Sequence, residues 1–215
     1  MNLYEVIYAR RDVRHFRSDP VPEDVLLRIL DAAHHAGSVG FMQPWSFILI
    51  RSLALRRKVK AEFERENARA AENYCGERRK LYDSLKLEGI LDAPVNICVT
   101  CDRIREKNVL GRNSIIDTDL FSTCLAVQNL WLAARSEGVG VGWVSILNNE
   151  RLSEFLDLPE HVVPVAYLCV GYPEKFSDTP LLESVGWRKR LPLQDVIFAE
   201  RFGRRPPTKE QNGDG

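Results

Sequence analysis

The stretch from residue 119 to 145 constrains the fold of this chain more than any other. Leu120, Cys124, Val127, Leu130, Trp131 and Ala134 recur at helical spacing and form one broad apolar face, with Asp119 as the N-terminal cap and Gly138 at the usual C-terminal stop. This is the most hydrophobic helical segment in the sequence, so it is expected to be the central helix or a subunit contact. Directly after it, Gly138-Val139-Gly140-Val141-Gly142-Trp143-Val144-Ser145 turns to strand character. The order helix, glycines, strand excludes a dinucleotide-binding fingerprint, which runs strand, G-x-G-x-x-G, helix. Glycines at alternate strand positions leave one face without side chains, and two readings follow. Either a flat ligand ring lies against the bare backbone, or the sheet packs tightly there.

Helical and strand patterns interleave along the rest of the chain. Asn2 with Glu5 forms a capping-box variant ahead of Leu3, Val6 and Ile7, a short helix that delivers Arg10 at its end. After Pro20 and Pro22, Glu23 and Asp24 open a second helix whose stripe is Val25, Leu26, Ile29, Leu30 and Ala33. Strands are expected at 45–50, 94–101 and 162–170, the last broken at Pro164, with Asn149 capping a short helix through Leu156 and a last helical turn or two from Pro192 to Ala199. Residues 53–90 carry Leu55, Val59 and Phe63 at intervals of four but are otherwise charged. They read as two helices broken near Cys75-Gly76, a peripheral element or lid. Residues 102–118 are polar and aperiodic, a loop long enough to suspect function. Four or so strands among six or so helices indicate an α/β or α+β class. One domain is expected over 1–202, followed by a disordered tail over 203–215.

Charge and cysteine content narrow the partners. Thirty basic and thirty acidic residues cancel, so nothing points to nucleic acid or an anionic membrane surface, and any anion site must be local. The first residues lack a basic-then-apolar leader and no window of 18 residues is uninterruptedly apolar, which suits a soluble cytoplasmic protein. Five cysteines in apolar segments fit reduced thiols. Cys98 and Cys101, three apart on a strand, project to opposite faces, so neither a disulfide nor a shared metal is expected there. His34 and His35 face different ways on a helix, and no metal-binding pattern is present.

The local charge that stands out is Arg10-Arg11-Asp12-Val13-Arg14, three guanidinium groups around one carboxylate. Arg reads phosphate or carboxylate through a planar two-pronged fork, so the cluster is either an anion handle or a solvated charge run. Asp12 within it is either a surface ion pair or a base held ionised by its neighbours. Ser145 adds a hydroxyl just past the glycine strand, and Ser38 with Gly40 adds another hydroxyl and free amides.

Read together, Arg10 to Arg14, Gly37-Ser38-Val39-Gly40-Phe41-Met42-Gln43-Pro44-Trp45, Ser84 to Ile90, Ile97 to Asp102 and Gly138 to Ser145 resemble the nitroreductase-type flavoprotein superfamily. Asp12, the S-V-G-F-M-Q-P-W run and G-V-G-W-V-S resemble its 5,6-dimethylbenzimidazole synthase branch. The resemblance implies a three-layer α+β fold, helices around a mixed, mainly antiparallel sheet, assembled as an intertwined homodimer with FMN held between subunits. It implies an O2-dependent enzyme that fragments reduced FMN, supplied by a separate flavin reductase, to dimethylbenzimidazole and erythrose 4-phosphate for the cobalamin lower ligand. The alternatives are an FMN-dependent NAD(P)H oxidoreductase and a flavin-binding protein without turnover. By the same resemblance Asp12 and Ser145 are catalytic, with Asp12 a base near the ribityl hydroxyls and Ser145 a hydrogen-bond partner near flavin N5. Arg10, Arg11, Asp12, Val13, Arg14, Ser38, Gly40, Gln43, Pro44, Gly140, Gly142, Trp143, Ser145, Arg188 and Arg190 are the implied flavin contacts. Residues 53–90 are the implied lid.

Overall fold

The computed structural model describes residues 1–106 and 108–206 and divides into two compact units, Met1–Asp178 and a C-terminal segment from Thr179. In the first unit the elements run α1 (Leu3–Ala9), α2 (Glu23–His34), β1 (Trp45–Ile50), α3 (Leu53–Ala71), α4 (Gly76–Asp83), β2 (Val95–Asp102), α5 (Thr118–Ser136), β3 (Gly140–Val144), α6 (Asn149–Phe155) and β4 (Val162–Gly171). The second holds a helical turn, α7 (Leu181–Ser184), and a 3-10 turn at Leu193–Val196, which replaces the longer helical segment expected from Pro192 to Ala199. Residues 203–206 of the expected tail are described, and the remainder lies outside the described residues.

The four strands order β1-β2-β4-β3 and every pairing between them is antiparallel. A parallel bridge, Asp12 to Val141, joins the chain start to the outer edge of β3 and makes the sheet mixed. The α+β class is therefore as expected, with helices on both faces. On one face α2 (Leu26, Ile29, Ala33) and α5 (Ala126, Val127, Leu130, Trp131, Ala134) bury Ile97, Val99, Val141 and Leu168. On the other, α3 (Val59, Phe63) and α6 (Leu152) cover Cys98, Val144, Tyr167 and Cys169.

The period-two alternation of β2 sorts its cysteines as the spacing requires. Cys98 faces the α3 side and Cys101 hydrogen-bonds toward Thr123 of α5, both as free thiols. Burial pushes the Cys98 thiol up to about 12.

Several local expectations are corrected. Val59 and Phe63 are 0% and 5% exposed, so the first half of the 53–90 segment is anchored in the core and does not lie outside it. Pro164 does not break β4. The register with β2 shifts between Val99 and Thr100, leaving Val165 as an extra residue beside the proline, whose missing N–H a bulge tolerates. The cap of α6 is Asn148, whose side chain accepts the Arg151 N–H at 3.0 Å, one residue earlier than expected.

The face of α5 is also rotated at its N-terminal half. Asp119, Ser122 and Thr123 are buried there, whereas Cys124 is exposed, as are Phe121 and Leu125. The polar residues are buried because they find partners. Ser122 and Thr123 return their hydroxyls to the carbonyls of Thr118 and Asp119, and Asp119 receives Arg103 at 3.1 Å and Arg112 at 2.6 Å. Asp119 is thus a buried anchor inside the first turn and not the cap. At the other end Gly138 adopts φ 74°, as the glycine stop requires.

Candidate functional site

The segment from Arg10 to Phe16 wraps the free edge of β3. Arg10 ends α1 and stacks its guanidinium over the Trp131 ring at 4.4 Å, on the α5 side of the sheet. Trp131 in turn donates its Nε1–H to the Arg11 carbonyl at 3.1 Å, and Arg135 donates to the Ala9 carbonyl at 3.2 Å. The chain then crosses the edge. The Val13 N–H donates to the Val141 carbonyl at 3.0 Å, and Val13 is buried on the α3 side.

This crossing explains the alternate glycines. A Cβ on Gly140 would lie 2.9 Å from Val13 Cγ2, and one on Gly142 would overlap the Val13 carbonyl oxygen. The bare face is filled by the chain's own Asp12–Arg14 segment, so the reading in which a ligand ring lies on that backbone is replaced by close packing. The glycines matter to the site because they let Asp12 reach β3.

At the edge, Asp12 accepts the Trp143 backbone N–H at 2.8 Å with one carboxylate oxygen and the Arg14 guanidinium with the other. Arg14 also donates to the Trp143 carbonyl at 2.7 Å. Asp12 and Arg14 thus grip both polar groups of one peptide residue. The Asp12 side chain keeps 41% of its surface, yet the protein packed around it withdraws enough water to raise its pKa above 3.8. Arg14, the Trp143 N–H and Arg10 oppose this shift and do not cancel it. The arginines pull the Asp12 pKa down as expected, but burial outweighs them and sets the direction of the shift. Desolvation makes it a stronger proton acceptor than a surface carboxylate.

The three arginines do different things. The two terminal nitrogens of Arg11 serve backbone carbonyls, Nη1 those of Tyr8 and Arg10 at 2.7 Å each and Nη2 that of Asp178. At this edge, two buried donors among the described residues lack a protein partner, Nη1 of Arg14 and Nε of Arg11. An unpaired buried donor is costly, so this edge fits a ligand rich in acceptors such as a flavin phosphate or pyrimidine ring.

Ser145 is exposed just beyond β3, two residues (about 7 Å of extended chain) past the Trp143 amide that Asp12 holds. It borders two cavities. One, about 200 Å³, runs under α6 between Val144, Leu152 and the bulge at Val165, and the other, about 520 Å³, opens toward Glu66, Arg69 and Asn73 of the α3 end. Sequence reasoning passed over Glu66, Arg69 and Asn73 because a charged helix carries no marker of which turn faces a cleft.

The remaining predicted residues fall elsewhere in the protomer. Ser38 accepts the Gln43 N–H at 2.9 Å, and Val39 donates to Ser122 at 3.2 Å, which puts this turn at the start of α5. Trp131, beneath the Arg10 segment, lies nine residues further along that helix, about 13 Å away. The same separation holds across the sheet, since Gln43 and Pro44 lead into β1 at one edge while Asp12 pairs with β3 at the other. Pro44 is buried. Arg188 and Arg190 belong to the C-terminal unit, where both are exposed.

A family model for nitroreductases matches residues 7–172, a span that takes in all four strands and the whole Asp12 edge. The chain belongs to the nitroreductase family. It is 42% identical over 184 residues to the 5,6-dimethylbenzimidazole synthase of Rhodospirillum rubrum, covering 85% of this chain and 87% of that protein. It is 43% identical over 193 residues to the enzyme of the same name from Rhodobacter capsulatus, covering 89% and 93%. Among solved structures, a BluB-like flavoprotein from Clostridium difficile 630 superposes with a TM-score of 0.71 at 20% identity, covering 94% of this chain and all of that one. Iodotyrosine deiodinase bound to FMN and 3-iodo-L-tyrosine reaches 0.71 at 22% identity over 93% and 99%, and these two likenesses establish the nitroreductase-like fold. Among the described residues no helix is long and apolar enough to cross a membrane.

Proposed function

We propose that this protein is a 5,6-dimethylbenzimidazole synthase that consumes reduced FMN and O2. The observation that carries the reading is the desolvated Asp12 carboxylate, fixed to the Trp143 amide at the edge of β3 in a chain that is 42–43% identical to two synthases. A flavin bound here supplies the ring that becomes the product and the ribityl chain that is cut from it. Cutting that chain needs a base near its hydroxyls, and Asp12, with its proton affinity raised by burial, takes that role. Ser145 hydrogen-bonds the reacting end of the ring. Arg14, with its unpartnered Nη1, holds acceptor atoms of the flavin, and Arg10 and Arg11 are assigned to its phosphate.

The complete site is formed by two copies of the chain. Ser38, Gly40 and Gln43 lie by the β1 edge of the sheet and Asp12 on the β3 edge, and the turn of one subunit is assigned to the edge of the other. The exposed apolar face of α5, with Phe121 and Leu125 more than half accessible, is the surface that would be covered. The outer half of the 53–90 segment, beyond the core-anchored Val59 and Phe63, closes over the flavin as a lid and excludes a nicotinamide donor, so reduced FMN comes from a separate reductase. The protein works in the cytoplasm.

Incubating the protein with chemically reduced FMN in air tests the proposal. Dimethylbenzimidazole is the expected product. Intact flavin with steady NADH oxidation would instead identify an NAD(P)H oxidoreductase, and tight binding with no product a flavin carrier.

A further inference from the structure

One short turn holds three residues at positive φ, Gly40 at 59°, Phe41 at 56° and Gln43 at 44°. Glycine adopts this region freely, but phenylalanine and glutamine are strained there and stay only where their surroundings leave no alternative. Those surroundings come from the aperiodic loop after β2. Arg105 donates through Nη1 to the carbonyls of Gln43 at 2.7 Å and Trp45 at 2.9 Å, and through Nη2 to the Ser46 hydroxyl at 2.8 Å. Asp102, 3.6 Å from the Arg105 guanidinium, donates its own N–H to the Pro44 carbonyl at 2.8 Å.

The same loop presses on the other side of the turn. A Cβ on Gly40 would lie 2.5 Å from Val109 Cγ1 and 2.7 Å from the Leu110 carbonyl oxygen. Both ends of the loop are tied down by Arg103 and Arg112, which meet at the buried Asp119. Within the turn, Ser38 accepts the Gln43 N–H through its hydroxyl at 2.9 Å and the Phe41 N–H through its carbonyl at 3.0 Å.

We propose that Arg105 is a positioning residue: by holding the Gln43 and Trp45 carbonyls it fixes the left-handed turn that presents Ser38, Gly40 and Gln43 to the flavin. The inference rests on the reading of that turn as a flavin contact. One planar guanidinium reaches two carbonyls and a hydroxyl at once, which a lysine ammonium on its flexible stem does not reproduce.

The test compares wild type, Arg105→Lys and Arg105→Ala, each with and without Gln43→Gly. Without flavin, Gln43→Gly relieves the strain and raises the wild-type Tm by about 2–4 °C. In Arg105→Ala the released turn leaves the left-handed region, and that gain disappears or reverses. Titration with oxidised FMN, followed by quenching of its fluorescence, should show Kd raised about tenfold in Arg105→Ala and by less in Arg105→Lys. Equal Tm gains in the wild-type and Arg105→Ala backgrounds, or wild-type affinity for FMN in Arg105→Ala, overturn the inference. A wild type that binds no FMN overturns the flavin reading, whereas the melting comparison needs no flavin and decides the clamp alone.

Discussion

Asp12 and Trp143 are joined by a hydrogen bond of 2.8 Å from the Trp143 backbone N–H to the Asp12 carboxylate, across 131 residues of sequence. The bond stitches the arginine-rich start of the chain to the strand that ends at Ser145. The two residues assigned to catalysis are therefore set on one edge by this bond together with those of Val13 and Arg14, and the glycines beneath leave room for them.

Burial raises the Asp12 pKa above 3.8, and this predicts a pH dependence of definite sign. A carboxyl that binds its proton more tightly when folded contributes stability that is fully present below 3.8 and lost as pH rises through the raised value. Asp12→Asn removes this titration. Urea unfolding from about pH 3 upward should show wild type losing ground to Asp12→Asn as pH rises, by an amount that solvent screening keeps small. A difference that is constant with pH would contradict the burial argument.

Gly142 and Gly138 should respond differently to alanine. At Gly142 the added methyl meets the Val13 carbonyl, so the Asp12–Arg14 segment must lift and stability should fall by about 3 kcal/mol or more. At Gly138 nothing lies within 4 Å and only the φ of 74° is penalised, for a loss of about 1 kcal/mol. Chemical denaturation measures both, and FMN binding should suffer only in Gly142→Ala.

These glycines show what the sequence could and could not convey. Helix positions, strands and the link between the Arg10–Arg14 motif and residues 138–145 were legible because periodicity, caps and motif resemblance are local properties. What filled the bare face was not, since the answer is Val13, 127 residues before Gly140. The direction of the Asp12 shift was missed for a related reason. Neighbouring arginines are visible in the sequence, whereas the protein mass that desolvates the carboxylate is assembled from β3 and its surroundings. Arg105 left no signal, because an aperiodic loop announces neither its partners nor its clamp, and Asp119 was read as a helix cap because its partners Arg103 and Arg112 come from that same loop.

Asp119 is 1% exposed and balances Arg103 and Arg112. Asp119→Asn leaves two partly buried cations short of a counter-charge and should cost about 3 kcal/mol, read from urea unfolding. Because the loop over the Gly40 turn hangs from this anchor, FMN affinity should fall as well.

The α5 face that carries Phe121 and Leu125 predicts assembly. Light scattering should give a mass twice 24.6 kDa for wild type and a single chain for Phe121→Asp, with flavin binding lost in the variant. Cys124, exposed on that face, should resist alkylation in the dimer while exposed Cys75 reacts. Prompt labelling of both in wild type would argue against this interface.

The most direct test of the account is Asp12→Asn assayed with reduced FMN in air, with flavin binding measured on the same sample. The amide keeps an acceptor for the Trp143 N–H but cannot take a proton, so dimethylbenzimidazole formation should fall by about 10²-fold or more while FMN affinity stays near that of wild type. Product formed at the wild-type rate by Asp12→Asn would contradict the account.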